Sequence, residues 1–125
     1  MDPDFVDFED VLELHSDSIR EFGGTMGLRD EGSLRSAVGQ PLNDYFYGHA
    51  ALFEVAAAYA YHISQAQAFL DGNKRTAVAT ALAFLKSNDV KTPQHSSEIY
   101  DAMIGIAERR MSKPELADLF RRLFG

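Results

Sequence analysis

The chain has 125 residues, of which 46% are hydrophobic and 25% charged, with a formal net charge of -7 and no cysteine. That size fits one compact domain over 1–125, burying about two-thirds of its unfolded surface, and the composition excludes a disordered or fibrous chain. The acidic balance argues against a generic nucleic-acid binder, so no direct DNA binding is expected, and the absence of cysteine excludes disulfides and thiolate metal sites.

The N-terminus, Met1-Asp2-Pro3-Asp4, is acidic and lacks the basic and apolar regions of a secretion signal, which points to the cytoplasm. No apolar run approaches the roughly 18 residues that cross a bilayer, so no membrane association is expected. Phe8 to Phe22 carries Val11, Leu12, Leu14, Ile19 and Phe22 near helical spacing, and Gly23-Gly24 ends it. His15 is placed on the polar side of this helix. Asp30 caps a short helix with Leu34, Ala37 and Val38, which stops at Gly39 before Pro41. Asn43 to Gly48 reads as an aromatic loop or single turn. Within it, Tyr45, Phe46 and Tyr47 either cover the core or line a partner groove.

From Ala50 to about Gln65 the residues Phe53, Ala56, Ala57, Ala60 and Ile63 recur at helical intervals. Ala58, Tyr59 and Tyr61 make that helix apolar on most sides, so it should be largely buried, with His62 a packed, hydrogen-bonded side chain. After an interruption at 66–72, an alanine-rich helix over 73–87 is expected at the centre of the fold. Val90 to Pro93 reads as extended. Ser96 or Ser97 caps the next helix, which carries Ile99, Tyr100, Met103, Ile104 and Ala107. Ser112-Lys113-Pro114-Glu115 is a capping box with proline in the first turn, starting a last helix with Leu116, Leu119, Phe120 and Leu123. Arg109-Arg110 and Arg121-Arg122 are read as solvated cations near helix C-termini, where the dipole favours them. His49 and His95 fall in connecting segments. No histidine has ligand spacing to another. No window alternates with period two, so the chain is all-α, a single bundle of about six helices.

The chemistry concentrates between Gln67 and Ala77. An acid, Asp71, and the turn Gly72-Asn73 precede Lys74-Arg75 where one apolar helix gives way to the next. Backbone N–H groups at a helix start, beside two cations, form a site for phosphate, and an adjacent carboxylate can hold the magnesium that accompanies a nucleotide. A second reading makes Asp71 a helix cap and the cations solvated charges. However, cations at a helix N-terminus oppose the dipole by about 0.3–1 kcal/mol each, and an alanine-rich helix has no need of them. A P-loop is excluded, because the upstream glycine is missing and a helix precedes the loop.

Phe69-x-Asp71-Gly72-Asn73-Lys74-Arg75-Thr76-Ala77 resembles the active-site loop of the Fic-fold superfamily, and specifically its death-on-curing (Doc) branch. Gly27-Leu28-Arg29-Asp30-Glu31-Gly32-Ser33-Leu34 and the segment Phe53 to Ile63 are similar to stretches these toxins carry in the same order. The resemblance runs clearly from about Leu12 to Leu85. It implies a Fic-like helical bundle and assigns Asp71 to the magnesium, Gly72 and Asn73 to a backbone anion nest, Lys74 and Arg75 to phosphates, and Phe69 to anchoring the loop. The AMP-transferring branch has glycine at the place of Lys74 and a second arginine at the place of Val78, so both positions point to the Doc branch. The implied cofactors are ATP and Mg2+. The implied outcome is phosphorylation of a threonine of elongation factor Tu, arresting translation. The implied partner is an antitoxin that lays a helical C-terminal segment into a groove beside the active site.

One part is absent. The resemblance places the general base, a histidine, at position 67, where this chain has Gln67, and the proline usual after it is Ala68. A glutamine amide orients a hydroxyl but does not titrate near neutral pH. Three explanations stay open at this point: an engineered change, a natural loss that leaves a non-catalytic interaction module binding an antitoxin helix or nucleotide, or a base supplied from elsewhere.

Overall fold

The structure is a computed structural model that describes residues 1–92 and 97–125. Six helices follow in order: α1 Phe8–Phe22, α2 Glu31–Gly48, α3 Leu52–Ala66, α4 Asn73–Ser87, α5 Ser97–Ala107 and α6 Lys113–Phe124. There is no strand among the described residues, and the only pairing of that type is an isolated antiparallel bridge between Leu28 and Phe69. The all-α expectation holds. None of the helices is long and apolar enough to cross a membrane. His95, Ser96 and Pro93, read above as connector, cap and extended residue, lie outside the described residues.

Local chemistry sets most helix ends. Asp7 and Asp10 form a reciprocal capping box at the start of α1, and Gly23 at φ 83° terminates it. Asp30 caps α2 by accepting from the Ser33 amide at 3.0 Å. Ser112 and Glu115 form the expected box at α6, with Pro114 in its first turn.

The second helix departs from the sequence reading. It continues through Pro41 to Gly48 instead of stopping at Gly39, so Asn43 to Gly48 is helical and not a loop. Proline inside a helix costs about 3 kcal/mol through its lost N–H and ring clash. Here Pro41 is buried with Leu34, Ala37 and Val38 on the face packed against α3, and tertiary packing outweighs that local penalty. Two further ties secure the extra turns: Gln40 donates to Asp44 at 3.0 Å, and Lys113 of α6 pairs with Asp44 at 2.8 Å. Tyr45 and Phe46 pack around Phe5 with centroids 5.7 and 5.8 Å away, whereas Tyr47 is 83% exposed and covers nothing.

α3 is the most enclosed helix and touches α2, α4, α5 and α6, while α4 packs along α3 and also carries α1 and α5. Residues 55–60 of α3 are all buried, which its near-continuous small and apolar sequence requires. Tyr59 within that run fastens the N-terminal segment: its hydroxyl accepts from the Val6 amide at 2.9 Å and donates to the Val6 carbonyl at 3.0 Å. Asn88 at the end of α4 likewise pairs with both backbone groups of Asp4. These ties bring α1 against α4 and place the end of α1 beside the loop that joins α3 to α4.

Candidate functional site

The loop opens where α3 runs out. Gln67 takes the left-handed conformation (φ 49°, ψ 41°) that ends α3. Asn, Asp and His occupy that region far more readily than other side chains. The Gln67 amide folds back and donates to the Ser64 carbonyl at 2.7 Å, while the Arg29 guanidinium donates to the Gln67 carbonyl.

The middle of the loop is clamped from two directions. Asn73 reaches back with both ends of its amide, accepting from the Phe69 N–H and donating to the Phe69 carbonyl, each at 3.0 Å. From the other side, residues 27–30 pair with it: the amides of Arg29 and Asp30 donate to the Ala68 carbonyl, and the Leu70 amide donates to the Gly27 carbonyl at 3.0 Å. Gly27 (φ 144°) permits this approach, because a Cβ there would lie 2.7 Å from Leu70 Cδ1. Phe69 itself is 2% exposed.

The polar residues lie above this clamp. Gly72, at φ 77°, is the N-cap of α4, and the helix has no side-chain cap. This corrects the helix-cap reading of Asp71: it precedes the cap, and its carboxylate accepts from the Gly72 amide at 2.8 Å and from the Thr25 amide at 3.1 Å. Those two N–H groups, with Arg75 nearby, hold the Asp71 carboxyl below the usual range of 3.8. The leading N–H groups of α4 are therefore not spent on a side-chain cap. Arg75 donates through Nε to Ser18 at 3.2 Å and through its guanidinium to the Gly23 carbonyl at 2.8 Å, so α1 fixes its position while other donors of its fork remain. Lys74 is exposed and takes part in none of the ion pairs among the described residues.

Gln67, Asp71, Gly72, Asn73, Lys74 and Arg75 together line one shallow pocket of about 310 Å³, with Leu70 at its edge and Phe69 beneath. It is not the largest hollow. Another of about 500 Å³ lies by Tyr61, Gln65 and Arg109, so chemistry and not volume marks the site. No group of three or more His, Asp or Glu that could hold a metal exists among the described residues. The donor set nevertheless suits magnesium arriving with a nucleotide, which takes one or two protein carboxylates and fills its remaining positions with phosphate and water.

Four contributors were not legible as site residues. Ser18, Gly24 and Thr25 close over the loop from the end of α1, and His15 supports it from below. His15 is buried, contrary to its expected place on the polar side of α1. Its spacing carried the signal: Val11, His15, Ser18 and Ile19 follow one helical face. His62 lies elsewhere, half-buried with Nε2 at 3.0 Å from Lys113 Nζ, and does not reach the loop's pocket. Arg121 and Arg122 pair with acids on exposed helix surfaces, and Arg110 pairs with Glu108 in the exposed turn between α5 and α6.

A family model described as the Fic/DOC family matches residues 5–85, which takes in α1 to α3, the whole loop and most of α4. Over 118 residues the chain is 36% identical to a protein named protein kinase doc, of Escherichia phage P1, covering 94% of this chain and 93% of that one. It is also 40% identical over 91 residues to a protein named toxin Doc, of Mycolicibacterium smegmatis, covering 70% of this chain and 67% of that one. The family match and the 118-residue alignment extend well beyond the loop and include the segments that close over it.

Proposed function

The chain belongs to the Fic/DOC family, and from that premise we propose that it is a Doc-like toxin of a toxin–antitoxin pair whose loop binds ATP with Mg2+. The observation that carries this reading is the joint placement of Asp71, Lys74 and the uncapped start of α4 on one pocket. Unspent N–H groups and a free cation attract phosphate oxygens. The Asp71 carboxylate keeps acceptor capacity on both oxygens beyond its two backbone bonds. Magnesium held there would offset phosphate charge and orient the terminal phosphoryl group.

In the reaction proposed, a hydroxyl oxygen of a target protein bonds to the terminal phosphorus, the bond from that phosphorus to its bridging oxygen breaks, and ADP departs. The target that the resemblance implies is a threonine of elongation factor Tu. The hydroxyl proton needs an acceptor. Gln67 can accept a hydrogen bond from that hydroxyl but cannot take the proton, and the loss of a positioned base lowers rates by about 10²–10⁴. This chain should bind better than it reacts. Comparing it with Gln67→His for growth arrest and for phosphate transfer to elongation factor Tu tests the reading, with transfer expected from the histidine variant and little from the parent. A histidine variant that neither arrests growth nor transfers phosphate overturns the kinase assignment.

A second reading, a non-catalytic interaction module, is favoured by the Gln67 side chain being spent on Ser64. The partner in both readings is an antitoxin. A groove of about 310 Å³ between α1 and α4 mixes apolar Phe5, Leu14 and Ala83 with acidic Asp10, Glu13 and Asp17, which suits an amphipathic helix with basic flanks. The module reading expects tight antitoxin binding whether position 67 is Gln or His, together with no uptake of magnesium–ATP in calorimetry.

A further inference from the structure

His15 is 2% exposed and is buried against the loop. Its ring stacks on Phe69 with centroids 3.7 Å apart and planes 6° from parallel. Its Nε2 lies 2.8 Å from the backbone oxygen of Asp71. A carbonyl oxygen carries no proton, so Nε2 must carry one and donates this bond.

The acceptor belongs to the peptide unit between Asp71 and Gly72. The N–H of that same unit donates to Asp71 Oδ1 at 2.8 Å. One rigid plane is thus held at its oxygen by His15 and aims its N–H at the Asp71 carboxylate. Its other restraints act on the neighbouring groups: the Thr25 amide donates to the second Asp71 carboxylate oxygen at 3.1 Å, and the Thr76 amide to the Gly72 carbonyl at 3.0 Å. Gly72 has no Cβ, sits at φ 77° and is followed by a helix without a side-chain cap, so the torsions on that side of the plane are soft. A Cβ at Gly72 would come within 3.7 Å of the His15 ring, so the imidazole closely backs this turn.

Resting on the reading of this loop as a magnesium–nucleotide site, we propose that His15 is its positioning residue: the Nε2–H bond to the Asp71 carbonyl fixes the 71–72 peptide plane and thereby the direction of the Asp71 carboxylate. The stack with Phe69 holds the imidazole at the required angle. Because Nε2 already carries the proton of this bond, that atom cannot also take one from a substrate hydroxyl. His15 is 2% exposed and is not among the residues lining the pocket, so it does not meet a substrate hydroxyl and is not a substitute for the base missing at position 67.

Two variants of the full chain separate the donor from the stack. His15→Gln keeps an N–H at the reach of Nε2, while His15→Phe keeps an aromatic ring without a donor. His15→Phe is expected to speed amide exchange of Gly72 and Thr25 by about fivefold relative to Val55 and Ala57 in α3, the size of one lost hydrogen bond. It should weaken magnesium–ATP binding by about the same factor, while His15→Gln stays within about twofold of the parent in both. Parent exchange rates at Gly72 and Thr25 in His15→Phe overturn the proposal, as do equal effects of the two variants. If the parent does not bind magnesium–ATP, the nucleotide reading fails while the exchange rates still decide the role of His15. Should His15→Phe not fold, imidazole 15N shifts of the parent decide it, with protonation at Nε2 expected and protonation at Nδ1 alone overturning it.

Discussion

The backbone amide of Thr25 donates to Oδ2 of Asp71 at 3.1 Å, a bond that crosses 46 positions of the chain. It closes the segment after α1 over the loop before α4, and Gly24 makes the approach possible. A Cβ on Gly24 would lie 2.8 Å from the same carboxylate oxygen, at a backbone φ of 119° that side chains rarely adopt. Gly24→Ala should therefore cost about 1–3 kcal/mol of stability from backbone strain alone. It should also displace the Asp71 carboxylate, so magnesium–ATP binding falls by more than stability does. Urea denaturation and calorimetric titration on one preparation measure the two effects. A variant with parental stability would mean that the Gly24 backbone is not constrained as described.

Lys74 should show opposite effects on folding and on binding. It is an exposed cation in the first turn of α4, where the helix dipole disfavours positive charge. Lys74→Ala is expected to stabilise the ligand-free protein by about 0.3–1 kcal/mol at low salt, and to weaken magnesium–ATP binding roughly tenfold through loss of a charge-assisted hydrogen bond. The stability gain should shrink at high salt as the dipole interaction is screened. Loss of stability in Lys74→Ala would contradict the claim that this cation serves a ligand.

Tyr59 tests the buried tie to the N-terminal segment. Burial pushes its hydroxyl up to about 12, with Asp7 and Asp10 adding to the effect and the Val6 hydrogen bond opposing it. Tyr59→Phe removes the hydroxyl and leaves both backbone groups of Val6 without that partner. Each buried unpaired polar group costs about 1–3 kcal/mol, so this change should reduce unfolding free energy by at least that amount with helix content unchanged. Equilibrium denaturation followed by circular dichroism reads both quantities.

The contact of His62 with Lys113 gives a pH signature in stability. Burial, reinforced by Lys113 and opposed by Asp44, lowers the imidazole below its ordinary 6.5. Folding favours the neutral ring, and the unfolded chain takes up the proton first. Stability should be unaffected by this group above 6.5 and should fall as pH drops from there to the lowered native value. Asp44 acts lower down: burial raises its carboxyl, but bonds from Lys113 and Gln40 outweigh this and hold it below 3.8, so its contribution is lost only beneath that value. Thermal midpoints measured from pH 8 to 2 should show the first decline, and His62→Gln should flatten it while leaving the acid limb. An unchanged first limb in that variant would assign the decline to another group.

The sequence by itself determined the elements whose signals are local. Apolar residues at helical spacing placed α1 and α4 within a residue or so, and the Ser112–Glu115 capping box placed the start of α6, because one-sided burial and backbone N–H satisfaction are decided within a few positions. The order of motifs around Asp71 to Arg75 also fixed the family, since it needs no knowledge of which helix meets which. Only the tertiary structure decided the rest. Pro41 ends a helix by every local rule, and the helix continues because burial against α3 outweighs the lost hydrogen bond. Asp71 matches a cap in sequence, yet its carboxylate is met by Thr25 from a distant segment. His15 is polar by type, so the first helix was read with it outside, although Phe69 and the Asp71 carbonyl offer it both a ring and an acceptor inside. A buried polar group depends on what partner the fold brings to it, and here that partner lies 56 residues away.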